Sequence, residues 1–137
     1  MVSGKEHISI STLEQLDGER WGEPPHNSYL VRRTHELRTI PLNKFTAEDL
    51  RMMIAQKFSL DYLIPLALDV LAGDFMAEGH LYPGALVESV LKVDPQFWQV
   101  NKDLWLKANR LVKQNKQKLK RNGITYAGFN QMFTNTK

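Results

Sequence analysis

The chain has 137 residues, 42% of them hydrophobic and 24% charged, and contains no cysteine. That length suits one domain with its own core, the missing cysteines exclude disulfides and thiolate metal centres, and no apolar run approaches the ~20 residues needed to span a bilayer. The net charge of +3 conceals a division, because residues 1–100 carry 9 Lys and Arg against 14 Asp and Glu (−5), whereas residues 101–137 carry 9 against 1 (+8). The segment from Met1 to Leu13 lacks the basic start and long apolar core of a signal peptide, so a soluble intracellular protein is expected.

In chain order, residues 1–12 are expected to be extended. The period-two alternation of His7-Ile8-Ser9-Ile10-Ser11 fits a short strand, though with no partner strand. A brief helical turn from Leu13 to Leu16 ends near Gly18, and Trp21 with Pro24-Pro25 then forms an extended linker. Asn27 or Ser28 caps a helix to about Arg38 with Leu30, Val31, Thr34 and Leu37 on one face, and Pro41 follows as a breaker. Thr46 caps the next helix, with Asp49 as a variant of the capping-box acid and Leu50, Met53, Ile54 and Phe58 inward.

A further helix opens at Ser59 or Leu60 and stops at Gly73. Pro65 lies beyond its first turn, so the helix is either kinked or regular only from the proline, and the second reading is favoured. Asp74 to Leu81 reads as a loop, followed by a short helix after Pro83-Gly84. Asp94-Pro95 opens a turn presenting Phe97 and Trp98. Asn101 caps the longest helix, Lys102 to about Arg121, with Leu104, Ala108, Leu111, Val112 and Leu119 inward, and Asn122-Gly123 ends it. Five to six helices with short loops and one long basic C-terminal helix make an all-α single compact domain, in which residues 13–100 form an acidic body and 101–137 a basic helix and tail.

Catalytic patterns are missing. The histidines at 7, 26, 35 and 80 are too scattered for a metal site, and His35-Glu36 lacks the second histidine a metalloprotease helix needs. No nucleophile elbow or strand-glycine-helix phosphate cradle occurs, so neither an enzyme nor a cofactor is expected. Glu48-Asp49 fits the favourable negative charge of a helix's first turn, while Asp69, Asp74 and Glu78 fit recognition and plain solvation equally well. Trp98 and Trp105, seven residues apart, suit a core. Lys107, Arg110, Lys113, Lys116, Lys118, Lys120 and Arg121, followed by Tyr126, Phe129 and Phe133, form the one feature suited to nucleic acid, through phosphate contacts and base stacking.

Several landmarks follow one another along the chain: Leu13-Glu14-Gln15-Leu16, then Trp21-Gly22-Glu23-Pro24-Pro25. Leu42 to Gln56 follows, with the core Leu-x-x-Phe-Thr-x-Glu-Asp-Leu-Arg, and after it Leu60-x-Tyr-Leu-Ile-Pro-Leu-Ala-Leu. Glu78-Gly79, Tyr82-Pro83-Gly84 and Phe97-Trp98 complete the series. From about Leu13 to Trp98 the chain resembles an α-helical family of immunity proteins from bacterial contact-dependent growth inhibition (CDI) systems, departing from its pattern at Ala85, where an acidic residue is usual. The resemblance implies a cytoplasmic, non-enzymatic protein, monomeric when free, that binds the C-terminal toxin domain encoded beside it as a 1:1 heterodimer. The toxins are often nucleases with basic grooves, which an acidic surface can steer and occlude. On that basis Asp17, Glu19 and Glu23, with Asp69, Asp74 and Glu78, are the expected toxin contacts. A nucleic-acid-binding protein acting through its basic helix is the alternative.

Overall fold

A computed structural model describes residues 8–133, and every regular element among them is helical. The first elements follow from local capping. Thr12 opens α1 (Leu13–Asp17) through a complete capping box with Gln15, and Gly18 closes it in the left-handed region at φ 76°, a conformation that suits glycine. Ser28 Oγ accepts from Val31 N to start α2 (Tyr29–Leu37). Thr46 opens α3 (Ala47–Ala55), with Asp49 closing the box back onto the Thr46 amide. Leu42–Lys44, after Pro41, is a single 3-10 turn.

The long hydrophobic helix α4 (Leu60–Gly73) is regular from Leu60, so Pro65 lies inside it. This corrects the expectation that regularity begins at the proline. An interior proline costs about 3 kcal/mol, and here the turn before it is held by tertiary packing, since Leu63 and Ile64 are both fully buried. Beyond the 74–84 loop come α5 (Ala85–Leu91) and α6 (Pro95–Val100), the latter with proline at its start. The helix α3 packs on both α4 and α5, and α4 packs on α7.

The basic segment divides into α7 (Lys102–Gln114) and α8 (Lys116–Arg121) at Asn115, whose backbone leaves helical geometry at φ −127°, ψ 26°. Asn115 Nδ2 donates to the Leu111 carbonyl, bonding the end of α7 at the break. Asn101 behaves similarly: rather than capping α7, its side chain donates to the Phe97 carbonyl of α6. A last turn, α9 (Ala127–Asn130), completes the described chain. The fold is thus an all-α single compact domain, with more and shorter helices than the five to six expected. Three further expectations need correction. Residues 8–10 are helical rather than a strand, with His7 outside the described residues. Leu30 is exposed instead of joining Thr34 and Leu37 in the interior, because α2 contributes only its second half to the core. Phe58 lies beyond the end of α3 and is half-buried.

One hydrophobic cluster runs from Leu13 through Met53, Leu68, Val90 and Trp98 to Phe129. Trp98 and Trp105 are both core residues, each in contact with Phe129, whose carbonyl accepts from Trp105 Nε1 at 2.9 Å. Phe133 packs edge-on against Trp105. Phe129 is therefore a core residue with no face left for base stacking, while Phe133 is half-buried against the edge of the core.

Candidate functional site

The polar architecture begins with three carboxylates committed to arginines. Arg38, 1% exposed, donates to both oxygens of Asp17 at 2.6 and 2.7 Å and to the Glu19 carbonyl at 2.6 Å. It also lies 5.0 Å from the centre of the Trp21 ring, a cation–π arrangement. Asp49 receives Arg33 through two bonds of 3.0 and 3.1 Å. Glu48 pairs with Arg51 at 2.6 Å and accepts from the His80 amide at 3.1 Å. Hydrogen bonds from Arg38 hold the Asp17 carboxyl below its usual range, as those from Arg51 do for Glu48. Burial pushes Asp49 up, yet its bonds to Arg33 and Thr46 outweigh that and leave it lowered. The Glu48-Asp49 pair is thus structural, tying α2 and the 79–80 turn to α3.

The Arg38 anchor fixes the path of residues 17–22. Trp21 packs edge-on to both His35 and Phe58, with ring centres 5.1 and 4.9 Å apart, and the Gly22 carbonyl lies 3.1 Å from His35 Nδ1. Beneath this loop opens a cleft of about 400 Å³, bounded by Asp17, Glu19, Trp21 and Arg38 on one side and by residues 57–62 on the other. The far wall includes Asp61 in the first turn of α4. It also contains Lys57 and Ser59, both with positive φ (65° and 51°), a conformation that L residues adopt at a cost of about 1–2 kcal/mol.

The six acidic residues expected from sequence divide accordingly. Asp17 and Glu19 share the cleft, but Asp17 is taken up by Arg38, and Glu23 is exposed farther along the loop. Asp69 lies on α4, ion-paired with Lys107 of α7 at 3.3 Å, beside an apolar groove formed with Ile8, Leu42, Pro65 and Leu66. Asp74 and Glu78 are exposed in the following loop, just before exposed Leu81 and Tyr82. Sequence reasoning missed Asp61 and Arg38. The Ser59-Leu60-Asp61 helix start did mark Asp61 as a first-turn acid, but its proximity to residues 17–21 is tertiary information.

Among the described residues no group of three or more His, Asp or Glu side chains is placed to hold a metal ion, and no helix is long and apolar enough to cross a membrane. A family profile described as CDI immunity proteins matches residues 15–108. The chain belongs to that family. No curated protein and no solved structure matches it. The match places the cleft, the Arg38 anchor and all six expected contact residues of this CDI immunity protein inside the segment shared with its family, along with the first two turns of α7. The cations from Arg110 to Arg121 lie outside it.

Proposed function

We propose that the protein binds the toxin domain encoded beside it in a 1:1 complex and holds that toxin inactive in the bacterial cytoplasm, protecting the producing cell without catalysis of its own. The observation that carries this is the family match over residues 15–108. Supporting it, residues 1–100 have a net charge of −5, and Glu19, Glu23, Asp61, Asp74 and Glu78 all stand exposed. Such a surface complements the basic substrate groove of a nuclease, raising association rate and specificity. Asp17 serves this surface indirectly, by fixing the loop that bears Glu19.

The test is co-expression with the C-terminal fragment of the reading frame directly upstream. Co-elution at the mass of a 1:1 complex, together with restored growth of cells producing the fragment, is the expected result. Independent elution with no protection rejects the proposal.

A nucleic-acid role is the second reading, favoured by one observation. In the basic segment of the described chain Lys107 alone has a carboxylate partner, leaving Arg110, Lys113, Lys116, Lys118, Lys120 and Arg121 exposed and unpaired. It requires gel-shift binding that falls steeply with salt and weakens when Lys113, Lys116 and Lys120 are made neutral. Absence of a shifted band at low salt eliminates it.

A further inference from the structure

We propose that the toxin seats one apolar side chain, a leucine, methionine or phenylalanine, in the pocket beside Leu81 and Tyr82, which form the apolar anchor of the interface. This rests on the toxin-binding reading above and names one contact within it. Isolated exposed apolar residues are ordinary, but these two are adjacent, 53% and 45% exposed, and both border one pocket of about 180 Å³. Buried Ile54, Ala85 and Val93 and exposed Ala55 supply the rest of its apolar lining.

The polar groups at this pocket are already satisfied within the chain. Arg51 is bonded to Glu48, and Lys57 pairs with Asp94. Glu88 takes both the Tyr82 hydroxyl and Lys92, and Ser89 Oγ donates to the Leu86 carbonyl. An ionic or hydrogen-bonding ligand would have to displace one of these bonds, whereas an apolar group has only to remove apolar surface from water. The volume sets its size. It is close to the ~150 Å³ of an apolar cavity that holds one benzene ring and below the ~300 Å³ at which small-molecule sites begin. One side chain fits, and a side chain arrives on a protein.

The loop that carries the anchor is held in place before any partner arrives. The His80 amide donates to Glu48 Oε1 at 3.1 Å, the Gly84 amide to the Met76 carbonyl at 3.0 Å and the Leu86 amide to the Ala77 carbonyl at 3.3 Å. Phe75 and Ala77 are buried in the core. The backbone presenting Leu81 and Tyr82 is thus ordered by folding, so association forfeits little further entropy. Charge then selects the partner. Asp74 and Glu78 are the formal charges of residues 74–84, and both are exposed. They repel a nucleic acid or an anionic lipid surface, and a symmetric contact with a second copy brings the same acids together. A basic protein face surrounding an apolar side chain complements them.

The test uses the full chain and the upstream-encoded toxin fragment, with affinity measured by calorimetry at low and physiological salt. Leu81→Ala and Tyr82→Ala are each expected to raise Kd about tenfold or more, by a similar factor at both salts, because apolar contacts are not screened. Tyr82→Phe keeps the ring and should stay within about threefold. Ala55→Leu, at an exposed position, adds apolar surface but fills the pocket; it should raise Kd at least about tenfold with an unchanged melting temperature. One apolar toxin residue, changed to alanine, should be non-additive with Leu81→Ala. If the wild-type chain fails to bind the fragment, the function and the anchor both fall. If it binds and Leu81→Ala, Tyr82→Ala and Ala55→Leu all stay within about threefold of it, or no apolar toxin residue couples to Leu81, the anchor alone is overturned. A free chain that sediments as a dimer, and as a monomer in the Leu81→Ala variant, assigns the pocket to a second copy and likewise overturns the anchor.

Discussion

Arg38→Met removes the cation around which the first third of the fold is arranged while keeping most of the apolar stem. The side chain is 1% exposed and makes two bonds to Asp17 and one to the Glu19 carbonyl. Removing one partner of a buried ion pair costs about 3–5 kcal/mol, chiefly because the other charge is left uncompensated. Here the remaining charge is not fully buried: the Asp17 side chain keeps 26% of its exposure and partly rehydrates. That places the loss near the lower bound, about 3 kcal/mol including the contact with Trp21. With a urea slope of about 2 kcal/mol/M, the unfolding midpoint falls by about 1.5 M. Urea titration at pH 7 with tryptophan fluorescence measures it directly. Pairing Arg38→Met with Asp17→Leu removes both charges, so the double variant loses less than the sum of the single losses, with a coupling of about 1–3 kcal/mol. A loss below about 1 kcal/mol for Arg38→Met, or strict additivity, refutes the view that this pair anchors the 17–22 loop.

Acid sensitivity follows from the same ion pairs. Asp17, Glu48 and Asp49 all have lowered pKa values, so the unfolded chain takes up protons first; their stabilisation is present above about pH 4 and disappears as pH falls through the lowered values. Urea midpoints from pH 7 to 3 should therefore hold down to about pH 5 and then drop, less steeply in Asp17→Asn; a flat profile contradicts this. Gly79→Ala is expected to cost about 2 kcal/mol or more, because its Cβ would lie 2.7 Å from Glu48 Oε1 and 2.9 Å from Glu48 Cα at φ +63°. Gly18→Ala, with open space around it at φ +76°, is expected to cost only the backbone term of about 1 kcal/mol, and thermal melts showing the reverse order would count against both assignments. Phe129→Ala removes the ring between Trp98 and Trp105 and should cost about 3–5 kcal/mol, whereas a surface role for Phe129 predicts a change within about 0.5 kcal/mol on the same melts.

What could be read from the sequence was local chemistry. Ser28 and Thr46 announce helix starts because a cap is satisfied within three residues, and Gly18 announces an end for a similarly local reason, its left-handed backbone, whereas Gly73 is still helical and Asp74 follows it as the cap. The break at Asn115 was not legible: the hydrophobic period of α7 continues to Leu119, and only the backbone geometry separates the helices. Arg38 looked like the polar end of a surface helix, because its partner lies 21 residues earlier. The tail aromatics follow a run of cations, a pattern that fits base stacking as well as burial until Trp98 and Trp105 are brought to Phe129. Of the cleft, the linker pinned by Trp21 is legible in the sequence, while its opposite wall, residues 57–62, depends on the corner between α3 and α4.

The matched segment stops at residue 108, partway along α7, yet Val112, Leu119, Ile124 and Phe129 belong to the same interior as Leu13. What relatives share in sequence and what one copy needs in order to fold are therefore different lengths of chain. A fragment trimmed to the shared segment would end inside a helix, with the indole N–H of Trp105 deprived of its acceptor on Phe129. Transplanting the proposed toxin-binding surface into another protein thus means carrying the C-terminal helices along, because their side chains fill the same interior.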